Sequence, residues 1–192
     1  MPIRGKILNV RKATLDKIQK NQEIMTMIDA FGLSVDMKTM KLTYDPADLR
    51  YDKIIIMSDA DVDGSHIKNL FYTFIWTFCP ELILDGHVYA GIPPLYKVTE
   101  GKDTYIYLKD DAELEEYRKK TTKKYQVKHL KGLGEMSADE TEILVDPERR
   151  IIKQITVDDI TKTDILFDDL MGTKIAPRKE FIQAHSHEAQ YV

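Results

Sequence analysis

Three features of the sequence predict an α/β chain. The first is a run of β-branched residues, Ile54, Ile55 and Ile56, which reads as a buried parallel strand over residues 53–57. The second lies directly after that strand: Gly64, then a long apolar helix beginning near Ser65 that stops at Pro80. The third is another short apolar strand over residues 87–92, closed by Pro93 and Pro94.

The remaining elements come in order from periodicity and punctuation. Asn21 is placed to cap a helix with Ile24, Ile28 and Phe31 on one face, ended by Gly32. Residues 33–50 read as an irregular connection. After the second strand, residues 96–99 and 104–108 form a hairpin around Glu100, Gly101, Lys102 and Asp103. Residues 111–120 make an exposed helix and residues 125–130 a strand. Ser137 followed by Glu140 is a capping-box pattern opening a short helix. Residues 150–157 alternate as a strand does, and residues 158–171 and 177–184 read as helices, with Gly172 and Pro177 as stop and start. The tail, 185–192, is expected to fray.

The chemistry concentrates just beyond the first strand. Asp59, Asp61 and Asp63 repel one another, and a hard divalent cation such as Mg²⁺ offsets that cost with oxygen ligands. The carboxyl ends of strands are also where open α/β sheets keep their sites. An EF-hand fails, because the twelfth residue counted from Asp59 is Leu70 rather than Glu. A phosphatase-type pair at Asp61 and Asp63 would bury Asp59 inside a strand, which is unfavourable for a carboxylate. A solvated acidic turn is the plainest alternative.

The segment Ser58-Asp59-Ala60-Asp61-Val62-Asp63-Gly64-Ser65-His66-Ile67 resembles the Asp-x-Asp segment of the TOPRIM domain in bacterial type IIA topoisomerase B subunits, those of gyrase and topoisomerase IV. Further blocks resemble that family in the same order: Pro2 to Val10, Pro93-Pro94-Leu95-Tyr96-Lys97-Val98, Lys131-Gly132-Leu133-Gly134-Glu135-Met136, Asp146-Pro147-Glu148-Arg149-Arg150, and Leu170-Met171-Gly172 with Pro177-Arg178-Lys179. Two departures stand out. Ser137 to Ile143 replaces a segment that often contains Gln-Leu-Trp, and Arg11 stands where many members have Glu. Neither touches the acidic tip, and both blur the choice between gyrase and topoisomerase IV.

The resemblance implies a Rossmann-like TOPRIM parallel sheet with its first strand missing, over residues 1–98, and an α+β tail over residues 99–192. It implies Mg²⁺, with Mn²⁺ as substitute, held by Asp59 and Asp61, with Asp63 acting nearby through water. Arg4, Lys6 and Asn9 match positions that touch DNA, His66 would meet a phosphate or sugar, and Lys131 would point to DNA or to a core carboxylate. A core or capping role is the alternative for His66. The family's Glu-Gly-Asp-Ser segment, whose Glu is the general acid/base, does not occur in the 192 residues. The nucleophilic tyrosine belongs to the A subunit, so none of the ten tyrosines is expected to attack. The chain is therefore expected to be a piece of a B subunit, inactive alone. It would support cleavage of double-stranded DNA in an assembly of two A and two B subunits, with ATP used only by the full-length subunit. A binding-only module that docks DNA or the A subunit, and a Mg²⁺-dependent phosphohydrolase, are the competing readings.

Composition fits that picture. The chain has 43% hydrophobic residues, enough for a core. Its single cysteine, Cys79, fits an inert core thiol in a reducing, cytoplasmic setting. No secretory or membrane segment is visible. The net charge of −4 hides segregation. Arg4, Lys6, Arg11, Lys12, Lys17 and Lys20 face a single acid, Asp16, in the first twenty residues, and Arg118 to Lys131 holds seven basic residues and no acid. Local field governs phosphate contact more than total charge does. A solvated face is the alternative for each run.

Overall fold

Helix and strand alternate along most of the chain in the computed structural model, which describes residues 1–59, 61–102, 104–130 and 132–188. In chain order the elements are α1 (Leu15–Gln19), α2 (Gln22–Phe31), β1 (Ser34–Val35), β2 (Leu42–Thr43), β3 (Ile54–Ile56), α3 (Val62–Phe78), α4 (Glu81–Leu84) and β4 (Val88–Ile92). They continue as β5 (Tyr96–Glu100), β6 (Thr104–Leu108), α5 (Asp111–Lys120), β7 (Tyr125–His129), α6 (Ala138–Val145), β8 (Ile151–Gln154), α7 (Ile160–Met171) and α8 (Ala176–Ala184). Short 3₁₀ turns lie at Leu133–Glu135 and Ser186–Glu188, the latter where a frayed tail is expected; residues 189–192 lie outside the described residues. The strands form three sheets, of order β1-β2, β3-β4-β8 and β6-β5-β7.

The chain divides into two compact units. One comprises Met1–Ile54, His66–Tyr89 and Gln154–Val192, the other Ile55–Ser65 and Ala90–Lys153.

In the first unit, α2 begins and ends as its sequence dictates. The Asn21 side chain accepts the Ile24 N–H at 3.0 Å, and Gly32 ends the helix in the left-handed region at φ 80°. The buried stripe of Ile24, Met27, Ile28 and Phe31 faces the core, and Phe31 meets Phe71 of α3 edge-on with centroids 6.1 Å apart. Phe74, Ile75, Leu82 and Cys79 are also buried. Residues 33–50 are not wholly irregular. β1 and β2 pair antiparallel, with Ser34 opposite Thr43 and Val35 opposite Leu42. The turn between them is tied by the Asp36 carboxylate, which accepts the Lys38 N–H at 2.8 Å and the Thr39 hydroxyl at 3.0 Å, while Met40 and Leu42 bury their side chains.

In the second unit, β5 is the central strand of an antiparallel sheet, with Val98 opposite Ile106 on β6 and Val127 on β7. Val98, Leu108 and Leu114 form its buried cluster, packed by Tyr96, Ile106, Tyr117 and Tyr125. The hairpin and α5 stand where the sequence predicts them, with Asp110 capping α5 through the Glu113 N–H; Asp103 of the turn lies outside the described residues. The capping box at Ser137 and Glu140 is formed, opening α6.

Candidate metal and nucleic-acid site

The acidic tip belongs to the second unit and is shaped by backbone contacts. Helix α3 starts at Val62, earlier than the apolar run near Ser65 implies, because Asp61 serves its N-terminus: Asp61 Oδ1 accepts the Gly64 N–H at 2.7 Å. The same loop is pinned by the Ser58 hydroxyl, which donates to the Gly64 carbonyl at 2.9 Å. Gly64 is required by close approach, since a Cβ there would lie 2.1 Å from the Asp59 carbonyl oxygen.

Asp59 is half-buried and is held from a distant part of the sequence. Its Oδ1 accepts the Leu133 N–H at 2.7 Å. A Cβ on Gly132 would come within 3.1 Å of Asp59 Oδ2, so the segment lies flat against the carboxylate. Pro93, Pro94, Leu95, Leu130 and Met136 line a small recess beside it. Each of Asp59 and Asp61 thus commits one oxygen to a backbone N–H, and their second oxygens accept no hydrogen bond from the described residues. Asp61 and Asp63 are exposed. Among the described residues no group of three or more His, Cys, Asp or Glu side chains gathers closely enough to hold a metal ion.

Behind the Leu133 turn stands a buried ion pair that the sequence does not announce. Glu140 is 3% exposed, and its Oε1 accepts from Lys97 Nζ at 2.9 Å, with Lys128 3.6 Å away. Its other oxygen accepts the Ser137 N–H at 3.0 Å. These contacts hold its carboxyl down to about 2, the Lys97 hydrogen bond first, against the upward push of burial.

The predicted nucleic-acid residues fall into distinct settings. Arg4 and Lys6 are exposed in the first unit, and His66 is exposed on α3. Asn9 is half-buried, with its side chain engaged internally: Nδ2 donates to the Met171 carbonyl at 3.0 Å and Oδ1 accepts the Arg11 N–H at 3.1 Å. Lys131 lies outside the described residues. Arg11 serves the fold. Its guanidinium donates to Thr77 of α3 and to Asp164 and Asp168 of α7.

The basic run of 118–131 is largely answered by its own unit. Arg118 pairs with Glu115 at 2.6 Å, Lys120 with Glu116, Lys123 with Glu100 at 2.7 Å, and Lys128 approaches Glu140. The solvated-face alternative therefore accounts for most of it.

Sequence reasoning missed Leu133 and the Lys97–Glu140 pair. The Leu133 donor is a backbone group with no side-chain signature. The one available signal for the pair is Glu140 in the capping box, which announces a carboxylate turned back on its own helix.

Known proteins resemble the chain along its whole length. The Toprim domain family matches residues 1–91, and the family described as DNA gyrase B subunit, carboxyl terminus, matches residues 122–183. The chain is 44% identical to the DNA gyrase B subunit of Streptomyces coelicolor, over 100% of this chain and 28% of the relative. It is 44% identical to the Thermus thermophilus DNA gyrase B subunit, over 99% of this chain and 30% of the relative. With the DNA topoisomerase 4 B subunit of Mycoplasma capricolum it shares 42% identity, over 95% of this chain and 28% of the relative. The fold is similar to the Plasmodium falciparum topoisomerase II DNA-binding, cleavage and re-ligation domain, with a TM-score of 0.77 and 28% identity over 100% of this chain and 26% of that one. The chain spans under a third of the length of these curated relatives.

Proposed function

The chain belongs to the family of type II DNA topoisomerase B subunits, within the Rossmann-like Toprim fold, and from that premise we propose that it is the metal- and DNA-binding part of such a subunit, supporting Mg²⁺-dependent cleavage and religation of double-stranded DNA by an A-subunit tyrosine. The observation that carries the reading is the pair of carboxylates beyond β3, Asp59 held by the Leu133 N–H and Asp61 by the Gly64 N–H.

The donor set fits Mg²⁺. That ion is hard, takes oxygen ligands, and is commonly held by only one or two carboxylates while keeping several waters and substrate phosphates. Asp59 and Asp61 would hold it, and each keeps one carboxylate oxygen that accepts no hydrogen bond from the described residues. When bound, the ion neutralises charge on the transferring phosphoryl group. The chain's own part is to keep the two carboxylates fixed and accessible. Gly64 and Gly132 let the backbone approach close enough to do so. Arg4 and Lys6 supply exposed positive charge for the DNA backbone. In this reading the partners are duplex DNA and an A subunit, the setting is the cytoplasm, and ATP is used by regions outside these 192 residues. Among the described residues no helix is long and apolar enough to cross a membrane.

The test is Asp59→Asn in the full subunit that carries this chain, assembled with its A subunit. Mg²⁺-dependent double-strand cleavage is expected to be lost, with DNA retention unchanged. Full cleavage by the variant overturns the reading, and cleavage absent from the wild-type assembly as well favours a binding-only module. The absence of a three-residue acidic cluster among the described residues is what keeps that second reading in play.

A further inference from the structure

A buried ion pair does not need to be where Lys97 and Glu140 are. Lys97 lies on the central strand β5, opposite Tyr107 on β6 and Lys128 on β7, and its side chain is only 18% exposed. Its Nζ also stands 4.3 Å from the centroid of the Tyr105 ring. Apolar residues of similar volume commonly replace such pairs without loss of stability, and the attested use of a buried pair is to fix one geometry among several.

The geometry fixed here leads to the acidic tip. Glu140 Oε1 is held by Lys97, and Glu140 Oε2 accepts the Ser137 N–H at 3.0 Å. Ser137 Oγ accepts the Glu140 N–H at 3.3 Å, closing the capping box. Ser137 comes directly after Met136, whose N–H donates to the Leu133 carbonyl at 3.3 Å, and the Leu133 N–H donates to Asp59 Oδ1 at 2.7 Å. One short segment, 132–137, therefore runs from a sheet-anchored ion pair at one end to a carboxylate of the proposed metal site at the other. Nothing softer than backbone intervenes.

We propose that Lys97 and Glu140 are positioning residues for Asp59, acting through the 132–137 segment to set the direction of the Leu133 N–H and with it the orientation of the Asp59 carboxylate. This rests on the metal-site reading of Asp59. Neither residue touches the metal or DNA. Their removal leaves Asp59 in place and makes its carboxylate free to rotate. Partners that orient a ligating carboxylate in this way typically matter about 10-fold or more in metal affinity.

The experiment compares wild type with Glu140→Gln, Lys97→Gln and Lys97→Arg in the 192-residue chain, by amide hydrogen exchange and by Mn²⁺ titration. Glu140→Gln and Lys97→Gln are expected to speed exchange of the Leu133 amide about 10-fold or more, while the Val98 and Ile106 amides of the sheet keep wild-type protection. Mn²⁺ affinity is expected to fall about 10-fold, and Lys97→Arg, which keeps the charge, to restore both. Unchanged Leu133 exchange in both Gln variants overturns the proposal. So does loss of protection throughout the sheet in both, since the pair would then serve stability at large. If wild type itself binds no Mn²⁺, the metal-site reading fails, and the exchange data still decide whether the pair positions the segment.

Discussion

Arg11 and Asp164 are joined by a 2.7 Å ion pair beside two stacked aromatic rings. Phe167 lies 5.9 Å from the guanidinium carbon, and the Trp76 indole N–H donates to the same Asp164 oxygen at 3.2 Å. Trp76 and Phe167 stack with their planes 15° apart. Arg11 is thus a hub between the N-terminal segment, α3 and α7. It stands where the resemblance implies a Glu, and it meets two acids, Asp164 and Asp168, that a Glu would repel.

Arg11→Ala should therefore destabilise the chain by about 1–2 kcal/mol, through lost packing as much as lost charge, because the acids are more than half exposed while Arg11 is 13% exposed. Arg11→Glu should be worse, since it gathers three carboxylates. Thermal unfolding reads the difference as about 2–8 °C for the alanine variant. A glutamate variant as stable as wild type would remove Arg11 from this role.

Glu140 makes the chain sensitive to acid. Its carboxyl is held down to about 2 from an ordinary 4.5, so its contribution to stability is complete above about pH 4.5 and fades as pH falls toward 2. Glu140→Gln has no such carboxyl to protonate, so the stability gap between it and wild type should close as pH falls. Urea midpoints at pH 6, 4 and 3 measure it. A gap that stays constant across that range would show that the Lys97 contact is not what depresses the carboxyl.

Local signals are legible in the sequence where one short stretch contains both partners. Asn21 with Ile24 and Ser137 with Glu140 each place a cap and its amide within three residues, and α2 and α6 stand where those caps put them. The hairpin of β1 and β2 is not legible, because two-residue strands carry no alternation and its turn depends on Asp36 folding back on itself. The start of α3 is hidden because Asp61 reads as a ligand, while its capping of Gly64 extends the helix into the acidic loop. The acidic run of Asp59, Asp61 and Asp63 is legible in the sequence, whereas the Leu133 N–H that holds Asp59 lies 74 residues away and uses no side chain of Leu133.

Gly64 is the position least tolerant of a methyl group. Its Cβ would meet the Asp59 carbonyl oxygen at 2.1 Å and the Asp59 carbonyl carbon at 2.9 Å, both backbone atoms that cannot turn aside. Gly64→Ala should cost about 1–3 kcal/mol and pull the Gly64 N–H away from Asp61, weakening Mn²⁺ binding as well. Gly134→Ala is the control, since a methyl there meets nothing within 4 Å. Thermal melts and Mn²⁺ titration of the two variants should separate cleanly. Equal behaviour would mean the loop relaxes without consequence for the carboxylates.

Arg4 is expected to reach DNA and Lys123 is not. Charge already neutralised by a neighbouring acid releases few counterions from DNA, so a paired lysine adds little to the salt dependence of binding. Lys123 sits 2.7 Å from Glu100, whose carboxyl it holds below the usual range, whereas Arg4 is exposed in the N-terminal segment. Arg4→Ala should weaken duplex binding by similar factors on unrelated sequences and lower the slope of log K against log salt by about 1. Lys123→Ala should leave that slope unchanged. Fluorescence anisotropy with two unrelated duplexes, from about 50 to 200 mM salt, reads both. If Lys123→Ala lowers the slope and Arg4→Ala does not, the DNA-facing charge lies on the 118–131 run, and the N-terminal segment is relieved of that role.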